Sequence, residues 1–207
     1  MKVRLCSYLA VVGLAAGLAT NAYALLWDLE SLALGAATTV SQTNGGVTMT
    51  ITRPGSTFSI DNIGSLTGVP ASWLTHTLSP FSDTAAIPFV ANFSTLVRNV
   101  SIAYGDFQPS DLDSLTIMAF SGLNGTGVLL GTITSATCCD VGSTFEAHVL
   151  TLAASGIGSI VFIGGSTTFP NSLYYDNFRA DLGPEPATLA LLGIALVGFA
   201  ATRRRKA

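Results

Sequence analysis

Apolar and hydroxyl-bearing residues alternate strictly through Val47-Thr48-Met49-Thr50-Ile51-Thr52, which is the two-residue period of a strand with one buried face. Runs of similar character recur at 96–104, 114–121, 127–133, 145–152, 157–163 and 173–182. Between them stand turn-forming groups: Asn44-Gly45-Gly46, Pro54-Gly55, Asn124-Gly125 and Gly164-Gly165. Gly and Asn accept positive φ and Pro presets a turn, so these groups punctuate the runs. No long stretch shows the three-to-four-residue apolar spacing of an amphipathic helix. Short strands separated in this way predict an all-β fold, an antiparallel, jelly-roll-like β-sandwich over residues 25–183.

The pattern changes at both ends. Lys2 and Arg4 precede an apolar run over 9–19, and Ala22-Tyr23-Ala24 has the small-x-small form that signal peptidase cuts. Residues 1–24 therefore read as a secretory signal peptide cleaved after Ala24. At the other end Pro184-Glu185-Pro186 leads into residues 187–201, which carry no charge, and then into Arg203-Arg204-Arg205-Lys206. A helix over 187–202 rising about 1.5 Å per residue stops a little short of the ~30 Å hydrocarbon core, which makes it a short transmembrane helix. Its basic tail would stay on the cytoplasmic side. Two prolines around a glutamate continue neither helix nor strand, so that segment stays extended and accessible.

Charge sharpens the division. The 207-residue chain has a formal net charge of −3, but this value averages over unlike parts. Within residues 25–183 only Arg53, Arg98 and Arg179 oppose eleven carboxylates, a net −8, and there is no lysine. Such a body excludes nucleic acid and anionic lipid as partners and leaves calcium and neutral sugars.

Taken together, Pro184-Glu185-Pro186, the hydrophobic segment and the basic cluster of Arg203, Arg204, Arg205 and Lys206 resemble the PEP-CTERM sorting signal of Gram-negative bacteria. The resemblance implies that an exosortase-type membrane protease or transpeptidase reads Pro184, Glu185 and Pro186 and removes the tail. The chain would be held transiently in the inner membrane and then reach the cell surface or the extracellular space. Exported proteins with this signal often have a lectin-like or carbohydrate-binding-module-like sandwich. The segments Trp27-Asp28-Leu29-Glu30, Asp113-Ser114-Leu115-Thr116-Ile117 and Tyr175-Asp176-Asn177-Phe178 resemble the first, a central and the closing strand of such a domain. That second resemblance implies a structural calcium between the first and last strands, held by Asp176 with Glu30 and Asp28.

The residues themselves also single out Asp176. Tyr174, Phe178, Ala180 and Leu182 share its parity, so a two-residue period places the carboxylate on the apolar face, where it needs a cation or hydrogen bonds. Asp28 and Glu30 alternate with Trp27 and Leu29, and that parity also fits two residues that simply face water. Asp106, Asp111 and Asp113 lack the mid-loop glycine and distal glutamate of an EF-hand, and read as a solvated acidic turn. Cys138 and Cys139 are adjacent and cannot staple distant strands, so a vicinal disulfide or a free thiol pair is expected. With only His76 and His148 elsewhere, they do not spell a zinc site. Trp73 lies in a Pro-, Ser- and Thr-rich stretch, 69–80, that reads as loop. It is either an exposed platform for a sugar ring or a lid over the sandwich edge. Thr48, Thr50 and Thr52 form one hydroxyl row, too little for an ice-binding array and suited to an outward strand face.

No G-x-S-x-G elbow, H-E-x-x-H pair or phosphate loop occurs, so no enzyme is expected. The expectation is a structural or adhesive surface protein associated with extracellular polysaccharide. A calcium-assisted carbohydrate-binding module and a glycan-processing enzyme are the alternatives.

Overall fold

The computed structural model describes residues 24–80, 84–106, 112–139 and 144–182, together with Gly193. The expected signal peptide up to Tyr23 and the sorting tail, including its helix apart from Gly193, lie outside the described residues. Among the described residues no helix is long and apolar enough to cross a membrane.

Among the described residues eleven strands occur in this order: β1 (Ala24–Trp27), β2 (Gly35–Ala37), β3 (Thr39–Asn44), β4 (Val47–Thr52), β5 (Phe58–Asn62), β6 (His76–Pro80), β7 (Phe89–Asp106), β8 (Ser114–Phe120), β9 (Leu129–Thr134), β10 (Glu146–Gly165) and β11 (Tyr174–Leu182). A 3-10 turn, Ala71–Trp73, interrupts them. The alternating run at 47–52 is β4, with its apolar residues buried and its threonines half-buried. The runs expected at 145–152 and 157–163 are a single strand of 20 residues, and the run at 96–104 is the second half of an 18-residue strand. Residues 76–80, expected as loop, form β6.

Those two long strands organise the molecule. The first half of β7 pairs with β4 and with the second half of β10, which in turn pairs with β8 and through it β9. The second half of β7 pairs with β11 and the first half of β10. Between these halves the register shifts three times from Leu152 to Ser159 in β10, opposite the exposed Ser94, Thr95 and Leu96 of β7. Gly156 bends there with φ 74°, a value that L side chains adopt at a cost. The bend folds one continuous antiparallel sheet into two layers. The first layer is β3-β4-β7-β10-β8-β9, and the second is β2-β5-β6-β11-β7-β10 with β1 also on β11.

The layers meet through aromatic rings. Phe89 and Phe162 of the first layer contact Phe58, Tyr175 and Phe178 of the second, with ring centroids 5.0–5.6 Å apart. Such rings bury large apolar areas and prefer these tilted contacts. Arg53 is buried at the edge of this core with its guanidinium carbon 5.4 Å from the Phe89 ring centre, and it donates to the carbonyls of Thr57, Ala85 and Ile87. A smaller apolar cluster of Ile63, Trp73, Ala103 and Phe145 lies apart from the main one, with Tyr174 against it.

Candidate functional site

The closing strand carries the most unusual carboxylate. Asp176 is 0% exposed. Its burial has a different origin from the one that parity gives. Tyr175, Phe178 and Ala180 belong to the main core, whereas Asp176 stands opposite Ala103, a member of the outer cluster. The face changes because β11 bulges between Asp176 and Arg179, with Asn177 at φ 46°. A two-residue period does not survive a bulge, so Asp176 and Phe178 point to opposite sides. Beside the carboxylate, Asn177 Nδ2 donates to the Ser72 carbonyl at 2.8 Å, pinning the 3-10 turn to the bulge.

Asp176 accepts hydrogen bonds from Asn177 N–H at 2.6 Å and Asn177 Nδ2 at 3.1 Å. Burial drives its pKa up to about 8; the Asn177 N–H opposes this, and the charges of Glu30 and Asp28 add to it. These two residues follow β1, and Leu29 between them turns with φ 61° and is buried. Glu30 clamps the approach to β6: its carboxylate accepts from Thr75 N–H at 2.8 Å, Thr75 Oγ1 at 2.7 Å and His76 N–H at 2.6 Å. Burial raises its pKa, but these bonds outweigh it and hold the carboxyl below its ordinary range. Asp28 Oδ1 accepts from Gln42 Nε2 at 2.9 Å and from Glu30 N–H at 3.3 Å. Three carboxylates thus stand around the point where β11 changes partner from β6 to β1. They are not drawn tightly together. Among the described residues, one group of His, Cys, Asp or Glu has three ligand atoms within 4.8 Å of one another, and it is Cys138, Cys139 and His148.

Other residues fall elsewhere. Trp73 is not an exposed platform: it is 3% exposed and packs edge-on against Phe145 with centroids 5.0 Å apart, beneath the 3-10 turn that carries it. Its neighbour Leu74, at 53%, is the residue that faces water. Asp106 and Asp113 are buried rather than solvated, because one ends β7 and the other bridges to Cys138, while Asp111 lies outside the described residues. Asp113 Oδ1 accepts from Ser172 Oγ at 3.0 Å. Cys138 and Cys139 are joined in a vicinal disulfide. Thr48 and Thr50 pair outward with hydroxyls of Thr43 and Ser41 at 2.8 and 2.9 Å. Ala24, the residue before the expected cut, is the exposed start of β1. Ala22 and the sorting residues Pro184, Glu185, Pro186, Arg203, Arg204, Arg205 and Lys206 lie outside the described residues.

Asn177 is the member of this site that periodicity passes over. An Asp-Asn pair inside a strand was the available signal, since both residues are depleted in strands and Asn tolerates positive φ.

A two-layer all-β body joined to a processing signal defines an exported, sorted surface protein. The model of the PEP-CTERM protein-sorting motif matches residues 184–206, and this motif implies processing by an exosortase-type membrane enzyme and delivery to the surface or the extracellular space. No curated protein matches the sequence. Solved structures similar to this chain include the K2 cleaved adhesin domain of Lys-gingipain, at 12% identity and TM-score 0.45, covering 77% of this chain and 98% of that one. The K1 cleaved adhesin domain of Lys-gingipain from Porphyromonas gingivalis has 12% identity and TM-score 0.42, covering 72% and 100%. The enzymatically active domain of bacteriophage CBA120 tailspike protein 4 has 12% identity and TM-score 0.32, covering 72% and 19%.

Proposed function

We propose that the sandwich is a non-catalytic, structural or adhesive surface domain that associates with extracellular polysaccharide, with calcium ordering the loops around Asp176. The observation that carries this reading is the charge balance there: a water-inaccessible carboxylate whose pKa is pushed up by burial and by the charges of two further carboxylates, Glu30 and Asp28. A hard cation suits an all-oxygen set of this kind. Asp176, Asp28 and Glu30 would hold it as the Asp28–Glu30 turn closes on the bulge, and Glu30 would share its oxygens with Thr75 and His76. The ion would supply neutralising charge and tie the end of β1 to the start of β6 and the middle of β11. The acidic, lysine-free body favours a neutral glycan over an acidic one.

The test is calorimetric titration of the full chain with the producing organism's extracellular polysaccharide, first with calcium and then with chelator. Saturable binding that is lost on chelation supports the proposal. Binding that ignores chelation separates the polysaccharide from the ion, and no heat in either condition overturns the association.

A further inference from the structure

Sequence spacing leaves Cys138 and Cys139 without a third metal ligand, but folding supplies one. Cys138 is fixed at the entrance to β8, where its N–H donates to the Asp113 carbonyl at 2.8 Å and its own carbonyl accepts from Asp113 N–H at 3.1 Å. Cys139 turns with φ 75° toward the start of β10. There its N–H donates to Glu146 Oε2 at 3.0 Å, and its Sγ lies 3.8 Å from the Glu146 carbonyl oxygen, where a thiol would donate. His148 follows two residues along the same face of β10, its Nε2 2.7 Å from Glu146 Oε1 and its ring 5.7 Å from that of Tyr104. Both sulfurs and a His148 ring nitrogen consequently lie within 4.8 Å of one another.

We propose that reduction of the Cys138–Cys139 disulfide opens a zinc site made of both thiolates and His148, with Glu146 as a positioning residue and water in the fourth place. Three features support it independently. Two thiolates and an imidazole are the soft-to-borderline donors that zinc selects over calcium. A carboxylate hydrogen-bonded to one ring nitrogen, as Glu146 is to His148, orients the imidazole and leaves its second nitrogen for a ligand. The exposure is also that of an open site, since the cysteines are 8% and 2% exposed while the His148 and Glu146 side chains are 38% and 29% exposed. Tetrahedral bonds of about 2.3 Å to sulfur and 2.0 Å to nitrogen place ligand atoms roughly 3.5 Å apart. Opening the disulfide spreads the sulfurs toward that spacing.

The chemistry balances with a dithiol as reductant. Two electrons and two protons pass to the protein disulfide, giving two thiols, while the dithiol closes to its own disulfide. Zinc then displaces both thiol protons to water and takes two thiolates and one neutral imidazole nitrogen. In the oxidised chain the sulfurs are spent on each other, so the site exists in one redox state.

The full chain, reduced by a dithiol without oxygen and freed of excess reductant, is titrated with cobalt(II) and then with zinc. The expected result is one cobalt per chain, with thiolate-to-cobalt charge-transfer absorption that is absent before reduction and lost when zinc displaces cobalt. His148→Ala should weaken binding at least about tenfold and alter the cobalt d–d bands, and Glu146→Gln should weaken it by roughly tenfold with the charge-transfer bands retained. Cys139→Ser, which leaves Cys138 as the one thiolate of the site, should weaken the charge-transfer bands and the binding. Circular dichroism of each reduced chain checks the fold. A folded, reduced chain without charge-transfer bands overturns the proposal, as does a His148→Ala chain that binds as tightly as its parent. A chain that loses its sheet signal on reduction overturns it too, because the site needs β10 in place.

Discussion

In chelator, the protein should lose stability as the pH rises, and the loss should be traceable to Asp176. Its carboxyl titrates at 3.8 when free and at about 8 in the fold, raised by burial and by the charges of Glu30 and Asp28. Below both values the carboxyl is protonated in folded and unfolded chains alike, and the contribution is fully present. Between them only the folded chain keeps the proton, so stability falls with rising pH, and above about 8 the loss is complete. At 1.36 kcal/mol per pH unit the full interval corresponds to about 6 kcal/mol, and relaxation of the site brings the expected loss to roughly 3–6 kcal/mol. That is a large share of the 5–15 kcal/mol that holds a typical domain together. Glu30, held below its ordinary range, acts in the opposite sense at lower pH. The informative quantity is therefore the difference between the parent and Asp176→Asn, which keeps the side chain's size without its titration. Urea unfolding of the full chain in chelator, at several pH values from about 4 to 8, gives that difference directly. The parent should fall relative to the variant across the range, and calcium should restore the parent most at the alkaline end. If the two lines run parallel, Asp176 is not the titrating group and the reasoning fails.

Other substitutions probe the frame around it. Trp73→Ala empties a buried site against Phe145 and should cost about 3–5 kcal/mol in chemical unfolding, a loss of stability rather than of a stacking platform. Gly105→Ala would drive a Cβ into the Glu146 carbonyl and to 2.7 Å from the Phe145 ring, so a destabilisation of about 1–3 kcal/mol or more is expected in the same assay. Arg53→Met keeps most of the apolar contact with Phe89 but leaves the carbonyls of Thr57, Ala85 and Ile87 without their guanidinium donor; the expected loss is about 2–4 kcal/mol. Replacing Pro184, Glu185 and Pro186 together by alanine should leave the unprocessed chain in the membrane fraction, visible as a larger band on a denaturing gel.

How far the sequence could be read depended on whether local pattern and tertiary contact agreed. β4 follows from alternation because its apolar residues are buried while its threonines stay half-buried, with Thr48 and Thr50 bonded to neighbouring hydroxyls. β2, with three small residues, and β6, rich in Ser, Thr and Pro, show no such alternation and exist through pairing with β5. The joining of two expected strands into β10 was hidden because the Ala-Ser-Gly stretch around Gly156 looks like a turn, whereas the chain bends there without leaving the sheet. Alternation over 174–182 puts Asp176 on the core face, but the bulge at Asn177 breaks that period, and the residue bonded to the bulge, Ser72, is distant in sequence. The third ligand near Cys138 and Cys139 was out of reach for the same reason. His148 arrives only through the start of β10, where Glu146 meets Cys139.

The adjacency of β1 and β11 has a mechanical side. Ala24 stands opposite Asp181, so the two ends of the folded body are neighbouring rungs of one ladder. A pull delivered through Leu182 enters the sheet along β11, a strand held by β1 and β6 on one edge and by β7 on the other. Those hydrogen bonds lie across the strand, so a force along it loads many of them in parallel as shear and cannot peel them apart one by one. For a domain tethered by its C-terminal side in moving fluid, the last strand is then the one best placed to resist extraction, and a tether attached through β9, which among the described residues pairs on one edge, with β8, would open far more easily.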